Sequence, residues 1–211
     1  MTKAPTTVRL YYVHDPMCSW CWGYRPTWEA IKAALPSDIE VVYVVGGLAP
    51  DSDSPMPETM ASGLQSTWHR IEAMLGTPFN HAFWTENTPR RSTYPACRSV
   101  IAAEAIAGKG VEMIVAVQQG YYLHAKNPSN LSVLSDMANS IGVDGDRLLE
   151  WMRVPEHEQR FQQELAFAHS LPISGFPSLV LEVDGLRYPI ALDYQVPQVA
   201  LDDIKRVRAD Y

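Results

Sequence analysis

Cys18 and Cys21, in Asp15-Pro16-Met17-Cys18-Ser19-Trp20-Cys21-Trp22-Gly23, are the pair with evident chemistry. Two thiols at this spacing can pass between dithiol and disulfide, the first attacking as a thiolate and the second resolving the mixed disulfide. A zinc ribbon would need a second ligand pair at comparable spacing. The chain holds one further cysteine, Cys97, and one imidazole near the pair, His14. Metal binding at the pair is therefore not expected, and redox chemistry is. Three cysteines in 211 residues are no disulfide framework either.

The elements around the pair must form a strand running into a helix. Val8-Arg9-Leu10-Tyr11-Tyr12-Val13 is β-branched and aromatic, and Trp22 to Leu35 carries Trp28, Ile31, Ala34 and Leu35 at helical spacing. Thiols at a helix N-terminus meet backbone N–H groups without helical partners and the positive end of the dipole, both of which favour a thiolate. Such positions lower a thiol from about 8.5 into the range of about 3.5–7.5. Cys18, exposed at the helix end, is the expected nucleophile, and Cys21, tucked into the first turn, the resolving thiol.

Ile39 to Val45 is a nearly continuous apolar run ending at Gly46-Gly47, the pattern of a central parallel strand. The Pro-, Asp- and Ser-rich stretch from Ala49 to Pro57 reads as a linker. From Glu58 to Trp151 there is no convincing strand. Helical periodicity recurs over 59–75, 96–107, 111–123 and 131–141, with Ser129 and Asn130 as N-cap candidates and Gly142 at a helix end. A helix over 155–170 leads back to Ser178–Val183 and Leu186–Ile190, joined by Asp184-Gly185 as a hairpin. Pro189 places the second of these strands at an edge, and a helix over 196–209 closes the chain. The expected organisation is α/β, with residues 1–57 and 154–211 forming one domain and 58–153 an inserted helical one.

The net charge is −7 and no run of Lys or Arg occurs, which argues against a nucleic-acid or anionic-membrane surface. No apolar run approaches the ~20 residues of a membrane-spanning helix. The first seven residues, Met1 to Thr7, lack the apolar core of a signal peptide, so the expected compartment is the cytoplasm.

The strand ending in Asp15-Pro16-Met17, followed by Cys18-Ser19-Trp20-Cys21-Trp22-Gly23, resembles the thioredoxin-fold thiol–disulfide oxidoreductases, and within them the DsbA-like branch (FrnE-like, predicted protein-disulfide isomerases). Pro26 stands where those folds kink the active-site helix, and Gly175-Phe176-Pro177-Ser178-Leu179-Val180 is similar to their cis-proline loop. The resemblance implies a thioredoxin-like fold, β-α-β … α-β-β-α, with a large helical insertion. It implies a cis Pro177 beside Cys18, with the Phe176 backbone presented to an extended substrate. Trp20, Phe176 and His14 are the substrate-contact candidates. Family members often carry a buried carboxylate six residues before the nucleophile, to take the proton of the resolving thiol. Tyr12 occupies that position here, which leaves His14 and Asp15 as candidates. His14 reads equally as a satisfied strand-end residue.

Cys97, in Tyr94-Pro95-Ala96-Cys97-Arg98, reads as a cysteine packed at a helix interface. Met60, Trp68, Met74, Phe79, Phe83, Trp84 and Met113 read as core, with an apolar groove as the competing use. The expected activity is protein disulfide reduction or isomerisation with protein or small-molecule thiols and disulfides as partners and no cofactor. Two competitors remain: a glutathione-dependent isomerase or transferase of the hydroxychromene isomerase and kappa type, which usually keeps Ser at the Cys18 position, and a thiol-independent polypeptide-binding holdase.

Overall fold

The structure, a computed structural model, describes residues 8–209. The reading of residues 1–7 falls outside them. The element order is β1 (Val8–His14), α1 (Ser19–Ala34), β2 (Ile39–Val45), α2 (Glu58–Leu75), α3 (Phe83–Glu86), α4 (Tyr94–Ala107), α5 (Gly110–Leu123), α6 (Leu131–Ser140), α7 (Gly145–Arg153), α8 (Pro155–Ser170), β3 (Ser178–Val183), β4 (Leu186–Ile190) and α9 (Pro197–Ala209). This is a thioredoxin-like fold in which six helices lie between β2 and α8.

The sheet order is β2-β1-β3-β4. β1 pairs with β2 in parallel and with β3 antiparallel, and β3 pairs antiparallel with β4. One expectation is corrected here. β2 lies at an edge of the sheet, and β1 and β3 are the central strands. The apolar run of β2 is explained by α8, which packs against it, and Val41, Val42 and Tyr43 are only half-buried.

The register aims the chemistry. Val13 pairs with Ser178, so the residues that follow β1 and those that precede β3 emerge at the same end of the sheet. Cys18 follows β1 and Phe176 precedes β3, and the two meet across 158 residues of sequence.

One apolar cluster between the sheet and α1 and α9 holds Leu10, Tyr12, Tyr24, Trp28, Ile31, Leu179, Leu181 and Ile204. A smaller one on the opposite face joins Tyr11, Val13, Val44 and Val180 to Ala168 of α8. A third fills the helical layer and takes in Met17, Trp22 and Val45, so the interior of that layer continues into the turn that bears the cysteines.

Two helices escaped the periodicity. α3 is a single turn. α7 is short and polar, yet Asp144 caps it by accepting the Arg147 N–H at 3.0 Å. Asn130 occupies the N-cap position of α6, but its side chain accepts from Arg90 instead of capping the helix. Among the described residues, no helix is long and apolar enough to cross a membrane.

Candidate active site

Helix α1 begins at Ser19, earlier than its apolar periodicity indicated, because Cys18 takes the N-cap position with extended backbone (φ −81°, ψ 116°). The Cys18 N–H donates to Asp15 O at 3.0 Å and the first helical bond runs from Trp22 N–H to Cys18 O, also 3.0 Å. Cys18 is thus fixed at the mouth of the helix and Cys21 lies one turn inside. Pro26 lies within the helix. All three cysteines are free thiols.

Both sulfurs are more enclosed than the sequence suggests. Cys18 is 6% exposed and Cys21 fully buried. The order of access is the expected one, but Cys18 is covered because its thiol donates to the Phe176 carbonyl oxygen at 3.5 Å. The Phe176–Pro177 peptide is cis. The ring of Phe176 lies against Gly46 so closely that a Cβ there would stand 2.0 Å from its edge. Only glycine admits that approach, which gives the glycine closing β2 a role in seating the loop. Phe176, Pro177 and Leu192 line a surface recess beside the loop.

Burial pushes the Cys21 thiol well above its usual range, and hydrogen bonding with Cys18 pushes it further; the Asp15 N–H works in the opposite direction, while the Asp15 carboxylate adds to the rise. A buried second thiol held protonated while the first attacks is the condition a two-step exchange requires.

Asp15 is fully buried and heavily satisfied. Its carboxylate accepts from Met17 N–H, Leu48 N–H and Thr93 Oγ1, each at 2.7 Å, and from the Cys97 thiol at 3.5 Å. Burial raises its pKa and these donors oppose the rise. Thr93 and Leu48 carried no signal in the sequence, since they reach Asp15 from segments 78 and 33 residues away. Cys97 is packed at the start of α4, and burial and Asp15 push its thiol well up.

His14 requires a correction. It is fully buried, so it cannot touch a substrate at the surface, and neither ring nitrogen has a hydrogen-bond partner, so it is not a satisfied strand-end residue either. Its ring stacks on Tyr12 (centroids 5.3 Å apart) and meets the edge of Tyr43. Burial lowers its pKa to about 3, which makes it a poor acceptor for the proton of Cys21. Tyr12, in the family's carboxylate position, stacks on Trp28 at 4.5 Å.

Trp20 is half-buried beside the sulfurs, its ring against Tyr194 at 5.2 Å and under the Arg70 guanidinium at 4.8 Å. Tyr194, which follows β4, was not foreseen. Trp68, Phe83 and Met113 are core, whereas Met60 and Met74 are exposed.

A family model described as thioredoxin matches residues 11–184. A protein of Nitrosomonas europaea proposed to be a protein disulfide isomerase superposes with a TM-score of 0.84 at 26% identity, covering 97% of this chain and 99% of that one. The cytosolic disulfide reductase DsbM of Pseudomonas aeruginosa superposes at 0.77 with 22% identity (95% and 99% covered), and its complex with GSH at 0.72 with 21% identity (95% and 99% covered). The ClpXP adapter protein SpxH of Halalkalibacterium halodurans is 22% identical over 149 residues, 67% of this chain and 48% of that protein, so the chain spans about half the length of the curated relative it matches. With the family model running from β1 through the β3–β4 turn, the chain belongs to the thioredoxin family.

Proposed function

We propose that this protein is a thiol–disulfide oxidoreductase in which Cys18 attacks and Cys21 resolves. The observation that carries the proposal is the position of the Cys18 sulfur, at a helix N-terminus and 3.5 Å from the Phe176 carbonyl of the loop that flanks a surface recess. The Cys18 thiolate attacks a substrate disulfide, forming a Cys18–substrate disulfide and releasing the other substrate sulfur as a thiol. Cys21 gives up its proton and attacks Cys18 Sγ; a Cys18–Cys21 disulfide forms, the second substrate thiol leaves, and two electrons have passed to the substrate. Two thiols of a donor restore the dithiol. Trp20 and Phe176 supply the apolar surface beside the sulfur, and Asp15 holds the turn in place.

We place the protein in the reductive direction, as a reductase or isomerase of the cytoplasm, where thiols are kept reduced. The glutathione-bound Pseudomonas structure makes a low-molecular-weight thiol the donor to try first. Insulin reduction and refolding of scrambled ribonuclease test the activity: turnover that survives Cys18→Ala contradicts the mechanism. Alkylation of cells quenched in acid tests the direction, and a couple found chiefly as disulfide in unstressed cells would reverse it.

A further inference from the structure

We propose that His69, Glu72 and His81 form a binding site for a divalent transition-metal ion of the zinc class, separate from the thiols. One coordinating atom from each of the three lies within 4.8 Å of the others. Glu72 Oε2 is 3.3 Å from His69 Nδ1 and 2.9 Å from His81 Nε2. Ligand bonds of about 2.0–2.2 Å set tetrahedrally around zinc put ligand atoms roughly 3.3–3.6 Å apart. The two contacts to Glu72 already lie at or just below that spacing, and the exposed His69 side chain is free to complete the third by rotation.

The two rings also present their nitrogens to one carboxylate oxygen. The two imidazole rings are stacked almost parallel, 12° apart with centroids at 4.2 Å. With both rings neutral, one divalent ion can take a lone pair from each and the carboxylate together. Two imidazoles and one carboxylate form a donor set suited to Zn²⁺, with Cu²⁺ and Ni²⁺ as competitors, and unsuited to Mg²⁺ or Ca²⁺, which take oxygen ligands. A fourth position is left for water.

The frame is rigid. His69 and Glu72 are one turn apart on α2, whose buried residues Trp68 and Ile71 anchor it: Trp68 Nε1 donates to Ser19 Oγ at 3.0 Å, and Ile71 lies against Gly23. The segment presenting His81 is pinned by Trp22 Nε1 to Pro78 O at 3.0 Å and by Asn80, which donates from its backbone to Tyr122 O and from its side chain to Leu123 O. A bound ion would tie this segment to α2, both of which already contact the helix bearing the cysteines.

The test is calorimetric titration of ZnCl₂ into the Cys18→Ser/Cys21→Ser protein, in which the Cys18–Cys21 thiols are gone and cannot compete for zinc. One ion per chain is expected, with no heat from MgCl₂. Affinity should fall at least about tenfold in His69→Ala or His81→Ala and similarly in Glu72→Gln, a variant that keeps the side chain's shape. Zinc should raise the melting temperature of the starting protein and leave that of the His69→Ala/His81→Ala variant unmoved. Absence of binding, or binding of equal strength after loss of both histidines, would overturn the site.

Discussion

The turn between β1 and α1 has two sides built on opposite terms. On one side Cys18 faces the Phe176–Pro177 loop through a single long contact, with a recess alongside. On the other, Asp15 is closed in by Met17, Leu48, Thr93 and Cys97, and Ser19 is held by Trp68. Both sides carry thiols, and only one gives its sulfur any access. Placement separates the two sulfurs more than the presence of a cysteine does: Cys97 is as buried as the core around it and is pushed toward the neutral thiol, while Cys18 sits where a helix begins.

The largest expected effect tests the open side. Cys18→Ser should abolish disulfide turnover, since the resolving thiol has no access of its own, and insulin reduction would read this directly. Full activity in that variant would mean that Cys21 or Cys97 can attack.

Next comes the closed side. Trp68 is fully buried, with the rings of Phe79, Phe83, Trp84, Tyr121 and Tyr122 at centroid distances of 4.9–5.8 Å. Trp68→Ala should cost about 3–5 kcal/mol in denaturant unfolding, against a much smaller loss for Trp20→Ala at the half-buried, open side.

The third effect depends on pH. His14 in the folded chain titrates at about 3, against an ordinary value of 6.5. Between those values the unfolded chain binds a proton that the folded chain does not, so His14 makes stability rise with pH there and fall as pH drops from 6.5 toward 3. His14→Phe should remove on the order of 3 kcal/mol of the stability lost between pH 7 and pH 4. It also removes two buried nitrogens without partners. An unchanged slope in urea titrations at the two pH values would show that His14 keeps its proton when folded.

The smallest effect is at Cys97. Cys97→Ala leaves Asp15 with three of its four donors, so a loss of about 1 kcal/mol is expected, with turnover within twofold of the parent. A variant that loses turnover would bring Cys97 into the exchange and erase the contrast between the two sides.

The strand, the Cys-x-x-Cys turn and the hairpin at Asp184-Gly185 were legible in the sequence because each rests on local chemistry: β-branched and aromatic residues, paired cysteines ahead of a helical period, or a two-residue turn. The nearness of Phe176 to Cys18 was suggested by a motif resemblance and not by spacing. The edge position of β2 was hidden, because an apolar run looks the same whether a strand or the side of α8 covers it. The partners of Asp15 and the seating of Phe176 on Gly46 were hidden for a related reason, since they join distant segments by tertiary packing that leaves no period in the chain. His14 was misread as a substrate contact and as a satisfied strand-end residue, since nothing in a sequence tells how deeply a ring is buried or whether its nitrogens find partners.

The measurement that bears most directly on the central claim is mass spectrometry of the Cys21→Ala protein after brief exposure to a disulfide substrate. A stable mixed disulfide is expected, and tryptic mapping should place the adduct on Cys18 with none on Cys97. Normal turnover by Cys21→Ala without an adduct, or an adduct mainly on Cys97, would contradict it.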